Sequence, residues 1–118
     1  MLTMDARDVG RVIAAELREH PERWTQGKFA RNAQGLEVDY NSEQATCWCL
    51  YGFIRRLLNI PPGWGTPIDI LSAFDQAAVG KPYYGEYISE ELAFVGWQDE
   101  PGRTVADIIA VCALVVAS

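Results

Sequence analysis

Apolar side chains recur at helical spacing in several separate stretches of this chain, and that pattern predicts a mainly helical fold. In Asp5–Glu19, Val9, Val12, Ile13 and Leu17 fall on one face, while Arg7, Arg11, Glu16 and Arg18 fall largely elsewhere. This is the arrangement of a surface helix with one buried stripe, and Pro21 ends it. A second stretch runs from a cap at Asn41 or Ser42 to about Leu58, with Gln44 placed to complete a capping box from Asn41. Its apolar residues, from Ala45 and Trp48 to Leu57, cover most of the circumference, as in a central helix, and Gly52 leaves room for a neighbouring helix to come close. Thr66-Pro67-Ile68-Asp69 then combines a capping hydroxyl, a proline at the first helical position and an acid in the first turn. The helix it opens reaches Val79, with Ile70, Leu71, Phe74, Ala77 and Ala78 facing the core, and Gly80 followed by Pro82 stops it. Ser89 caps a short fourth helix through Leu92 to Val95, and Gly96 to Gly102 reads as irregular. Thr104 with Asp107 three residues on opens a last helix to about Ala117, with Val105, Ile108, Ile109, Cys112, Val115 and Val116 at helical spacing.

Between the first two helices, Phe29-Ala30-Arg31 and Leu36-Glu37-Val38 flank the turn-like Asn32-Ala33-Gln34-Gly35, which predicts a short β-hairpin or an ordered loop near residues 28–39. A two-stranded ribbon is marginal in water by itself, so it must lean on the helices. The expected fold is therefore all-α, about five helices with at most one hairpin. A chain of 118 residues supports one hydrophobic core, which predicts a single domain over residues 1–118.

Charge changes this picture more than composition does. The net charge is −6, and residues 1–59 balance eight basic against eight acidic side chains, so the deficit lies later. From residue 60 onward Lys81 and Arg103 face Asp69, Asp75, Glu86, Glu90, Glu91, Asp99, Glu100 and Asp107. Such a surface repels phosphate, which argues against direct nucleic-acid binding and favours a basic protein partner. The longest apolar stretch, Ile108–Ala117, is half the roughly 20 residues needed to span a bilayer as a helix. The first residues lack a basic region followed by an apolar one, so a cytoplasmic location is expected.

Candidate chemistry is sparse. Cys47, Cys49 and Cys112 make an odd set without an export signal, which predicts free thiols. On a helix Cys47 and Cys49 would point about 200° apart, too divergent for one ion, so neither metal nor cofactor is expected. A thiol nucleophile needs a base, and His20 is the only histidine; Cys49 with His20 and Asp99 is the one assembly that composition permits. Glu90-Glu91 and Asp99-Glu100 read as solvated acids. In Gly96–Thr104, Pro101-Gly102 shapes a turn, Asp99 can accept backbone hydrogen bonds, and Arg103 pairs with Asp99 or Glu100.

Three signatures stand in order along the chain: Trp24-Thr25-Gln26-Gly27, Trp48-Cys49-Leu50-Tyr51-Gly52 and Trp97-Gln98-Asp99-Glu100-Pro101-Gly102-Arg103-Thr104. In these the chain resembles an uncharacterised family of small bacterial and phage helical proteins. That family carries an early tryptophan with a following glycine, a Trp-Cys-x-x-Gly helix and a Trp-Asn-Asp-x-Pro-Gly-Arg-Thr segment. Gln98 stands where the family has asparagine. The resemblance implies a phage or mobile-element origin and carries no activity with it.

The functional expectation is a small acidic binding protein that engages the basic surface of a host protein or nucleic-acid-binding complex, as an anti-CRISPR-type inhibitor would. Tyr83, Tyr84, Glu86, Glu90, Glu91 and Glu100 are its expected contacts, since tyrosines anchor interfaces and acids steer a basic partner. Trp64, in a Pro/Gly loop, is a further candidate exposed aromatic. The alternative is a small cysteine-dependent enzyme using Cys49 with His20 and Asp99. The oligomeric state stays open.

Overall fold

The computed structural model describes residues 4–81 and 92–118. Its elements are α1 (Ala6–Glu19), a 3-10 turn (Pro21–Arg23), β1 (Ala30–Arg31), β2 (Cys47–Trp48), α2 (Leu50–Leu57), α3 (Ile68–Val79), α4 (Ala93–Gln98) and α5 (Val105–Ala117). The fold is thus mainly helical with one short antiparallel ribbon, as the apolar spacing predicts.

The outer helices start and stop on local signals. Asp5 caps α1: its carboxylate accepts the Asp8 amide at 2.9 Å while the Asp8 carboxylate accepts the Asp5 amide at 3.2 Å, a capping box built from two aspartates. Thr104 and Asp107 make the equivalent box on α5, at 3.3 and 2.9 Å. These two helices pack on each other most extensively in the fold. Val9, Ile13 and Leu17 of α1 share the core with Ile108, Cys112 and Val115 of α5. Gly10 permits the approach, since a Cβ there would lie 3.0 Å from the Cys112 carbonyl oxygen. Val12 stays 39% exposed, outside the stripe its spacing suggests.

The second helix is shorter than its apolar spacing predicts, because Cys47 and Trp48 are extended. They pair antiparallel with β1, Ala30 opposite Trp48 and Arg31 opposite Cys47. Backbone pairing with a distant strand overrides the local helical pattern of residues 41–48. The predicted capping box at Asn41 does not form; the Asn41 side-chain amide donates instead to the Ile60 carbonyl at 3.1 Å. Cys49 is the cap of α2, its sulfur accepting the Gly52 amide at 3.2 Å. The hairpin of residues 28–39 turns through Asn32–Gly35, with Asn32 Oδ1 accepting the amides of Gln34 and Leu36 at 3.0 Å each. It contributes a single Arg31–Glu37 bridge.

Gly52 does admit a close neighbour, though the backbone just before β1 rather than a helix. A Cβ at Gly52 would lie 2.1 Å from the Phe29 carbonyl oxygen, the same oxygen that accepts the Cys49 amide at 3.1 Å. Thr66 is likewise diverted: α3 begins two residues after it, and its hydroxyl bonds to Tyr51 and Arg55 rather than capping the helix. The stop at Gly80 is as expected, in the left-handed conformation with φ 78°. The fourth helix continues past Val95 to Gln98, into the stretch expected to be irregular, and its expected cap Ser89 lies outside the described residues. Support for its start comes from α3, where the buried Asp75 carboxylate accepts the Phe94 amide at 2.9 Å. Phe74 and Phe94 then meet in the core with ring centroids 5.9 Å apart.

Two predictions follow from this packing. Gly52→Ala forces its new methyl against the Phe29 backbone and is expected to cost about 3 kcal/mol, lowering the melting temperature by roughly 10 °C or more. Thermal denaturation followed by circular dichroism measures it. Burial raises the Asp75 carboxyl above its ordinary value, outweighing the Phe94 amide that favours its charged form. A raised acid contributes stability when protonated and loses that contribution as pH rises through its folded-state value. Asp75→Asn keeps an acceptor for Phe94 and removes the buried charge, so it is expected to raise the melting temperature at pH 7, by an increment that shrinks as pH falls and native Asp75 takes up its proton. An increment that grows toward acid would contradict that sign.

Candidate functional site

The three sequence signatures converge on one buried amide. Gln98, at the end of α4, is 1% exposed. Its Oε1 accepts the Trp24 indole N–H at 3.0 Å and the Leu50 backbone N–H at 3.2 Å, so both lone pairs are used and an otherwise open donor at the start of α2 is satisfied. Its Nε2 donates to Asp99 Oδ1, which also accepts the Gly27 amide at 2.9 Å. Gln26 closes the arrangement by donating to the Gln98 and Glu100 carbonyls at 2.7 and 3.0 Å. The polar signatures are therefore a structural knot between the loop after α1, the start of α2 and the end of α4.

A recess of about 170 Å³ lies against this knot, lined in part by Phe29, Cys49, Gln98 and Asp99. Two members of the thiol-enzyme assembly, Cys49 and Asp99, thus share a wall. His20 is absent from that lining; its Nδ1 lies 3.4 Å from Glu22 Oε1. Burial pushes the Cys49 thiol up to about 11, with the Asp99 charge acting in the same direction against the Gly52 amide. Thiolate is the reactive form of cysteine, and this environment suppresses it. Burial pushes Cys112 up to about 12. All three cysteines are free thiols, as expected. Among the described residues no three His, Cys, Asp or Glu side chains are grouped to hold a metal ion.

Of the acidic and aromatic residues expected to touch a partner, Tyr83, Tyr84, Glu86, Glu90 and Glu91 lie outside the described residues. Glu100 is described: it accepts Arg103 Nη2 at 2.7 Å, and the same guanidinium stacks 4.2 Å from the Trp97 ring centroid.

A larger opening lies on the other side of Phe29, and sequence reasoning did not find it. This groove, of about 680 Å³, is bounded by the hairpin through Phe29 and Glu37–Tyr40, by α2 through Tyr51 and Arg55, and by the Pro62–Gly65 connector. Phe29 forms the partition, lining both openings, and it packs edge-on to Tyr40 and Tyr51 at 6.4 and 5.8 Å between ring centroids. Trp64 is 70% exposed in the connector wall, which agrees with its reading as an exposed aromatic. Arg55 is 6% exposed and lies between the rings of Tyr40 and Tyr51, 5.1 and 5.7 Å from their centroids. It donates to the Thr66 and Tyr40 hydroxyls at 3.0 and 2.9 Å and to the Pro61 carbonyl at 3.1 Å. No carboxylate pairs with it among the described residues. The only signal in the sequence was a cation on a helix that is apolar nearly all round.

The chain belongs to a family of unknown function (DUF6197), whose model matches residues 1–117. No curated protein and no solved structure matches it. No helix among the described residues is long and apolar enough to cross a membrane.

The state of Cys49 sets a clear expectation. At pH 7 in the folded protein, iodoacetamide should leave Cys49 and Cys112 unmodified over a period that fully labels both in denaturant, as peptide mass spectrometry would register. Rapid selective alkylation of Cys49 in the folded chain would instead restore the enzyme reading.

Proposed function

We propose that this protein is a non-enzymatic binding protein whose ligand seats in the groove between the hairpin, α2 and the Pro62–Gly65 connector. The observation that carries this reading is the Arg55 guanidinium, buried in the groove wall with only neutral hydrogen-bond partners among the described residues, beside a tryptophan left 70% exposed. A desolvated cation without a counter-charge is costly to hold, and such groups concentrate where a ligand supplies the missing charge. The volume supports it too, since ligand sites commonly fall in the range of about 300–1,000 Å³ and combine apolar walls with a few polar groups. The raised Cys49 thiol and the position of His20 weigh against thiol catalysis.

The charge distribution favours a second, compatible reading in which the acidic later half of the chain meets a basic protein surface. A host nucleic-acid-binding complex inhibited in the anti-CRISPR manner, in the cytoplasm and by a phage-derived protein, is its concrete form. Replacing Glu86, Glu90 and Glu91 together by lysine is then expected to weaken capture of the partner and its dependence on salt, in a pull-down repeated at two ionic strengths.

The groove is tested by a fragment screen read from the tryptophan indole N–H signals in two-dimensional NMR, with Trp64 assigned through Trp64→Phe. Bound fragments are expected to move the Trp64 signal while leaving Trp24, whose indole is tied to Gln98, in place. Hits that move Trp24 and the amides around Cys49 instead would transfer the site to the smaller recess.

A further inference from the structure

We infer that the groove recognises a free peptide C-terminus carrying a basic side chain upstream, its carboxylate seated on Arg55. The inference rests on the groove being the binding site and names the chemistry of what enters it. A guanidinium has five N–H donors, and the Thr66, Tyr40 and Pro61 bonds engage three of them, one from Nη1 and two from Nη2. Two donors, one of them on Nε, have no partner among the described residues. All three engaged acceptors are neutral, so the full positive charge remains for a ligand. The two remaining donors, on Nε and Nη1, lie on different edges of the guanidinium, so each offers one hydrogen bond to a single carboxylate oxygen, and the Tyr40 and Tyr51 rings, 5.1 and 5.7 Å away, shield the cation from solvent.

A single charge is selected over a double one. Glu37 and Asp39 line the same groove. Asp39 accepts the Asn41 amide at 3.0 Å, and Glu37 has only a long contact, 3.9 Å, to Lys28. Two acids in the same groove as one buried cation repel a phosphate dianion but attract a ligand that carries a positive group at some distance from its carboxylate. A peptide end with lysine or arginine upstream has that distribution. Its aliphatic and aromatic side chains would lie on Phe29 and Trp64, where the indole face also attracts a cation. Capture of a C-terminal carboxylate is a recurrent way to read peptides, because the terminus is a unique, fixed pattern of charge and hydrogen-bond acceptors.

The test compares three N-acetylated tripeptides, Lys-Ala-Phe as the free acid, the same peptide as its C-terminal amide, and Glu-Ala-Phe as the free acid, titrated into the full chain with the Trp64 indole signal as readout. The free acid with lysine is expected to bind at least tenfold more tightly than its amide and severalfold more tightly than the glutamate peptide. Equal binding of acid and amide at Trp64 would overturn the carboxylate inference while leaving the groove reading intact. A stronger response to inorganic phosphate than to the peptides would overturn it as well. Silence toward all three peptides would overturn it too, and the separate fragment screen then decides the groove itself. Arg55→Lys, checked first for an unchanged melting temperature, is expected to reduce free-acid binding at least tenfold and to leave the amide unaffected. If Arg55→Lys melts early, Trp64→Ala provides the second variant, titrated by isothermal calorimetry because it lacks the reporting indole: it is expected to weaken both lysine peptides while preserving their ratio, and a collapse of that ratio would count against Arg55 as the discriminating group.

Discussion

One primary amide holds together stretches of chain that lie far apart in sequence. Gln98 reaches Trp24 across 74 positions and Leu50 across 48, and both donors it satisfies bond to the same oxygen. Without it a tryptophan N–H and a helix-start amide would be enclosed with no partner, at about 1–3 kcal/mol each. The neighbouring Asp99 extends the hold by binding the Gly27 amide, at a residue whose φ of 83° suits glycine. Gly27 leads directly into Phe29, whose carbonyl is locked to Cys49 and pressed against Gly52. The partition between the two openings therefore takes its position from the end of α4.

This explains why residues that look catalytic are not arranged to react. Cys49 spends its sulfur on capping α2, where burial favours the neutral thiol, and Asp99 spends its carboxylate on Gly27 and Gln98. The groove differs in kind. Its walls are aromatic and no carboxylate pairs with its one buried cation among the described residues, although Glu37 and Asp39 line the same space, whereas at the knot Gln98 and Asp99 are bonded to each other and to their neighbours. Arg56, one position on, makes the contrast sharper. It stacks on Trp48 at 4.6 Å and donates to the Tyr40 and Ser42 carbonyls, bracing the loop that supplies the groove's Tyr40.

What the sequence made legible was local. The stripe of α1, the Thr104–Asp107 box and the Gly80 stop depend on residues within a few positions of one another, and each appears where the spacing puts it, Val12 of the stripe excepted. The start of α2 was not legible, because residues 41–48 carry a pattern compatible with a helix and the strand that captures Cys47 and Trp48 lies 16 to 18 positions earlier. Thr66 failed as a predicted cap for a related reason: a buried guanidinium eleven residues back competes for its hydroxyl. The signatures around Trp24, Trp48 and Trp97 were visible as motifs, but nothing in their spacing says that one glutamine side chain ties them together. The groove was least legible, since a hairpin, a helix and a connector each supply a wall and only the tertiary arrangement encloses the space.

The pairing of α1 with α5 bears on how the chain is made. The buried stripe of α1 is synthesised well before α5, the helix that it packs on most extensively. Until α5 is made, Val9, Ile13 and Leu17 lack their main partner, and Gly10 has no backbone to approach. Contacts of such long sequence separation close slowly, and a nascent chain that waits for them presents an apolar helix face to whatever is near. A stop codon placed before Val105 would thus do more than shorten the protein: it would leave the α5-facing side of the first helix permanently uncovered, a state that chaperones and proteases read as unfinished.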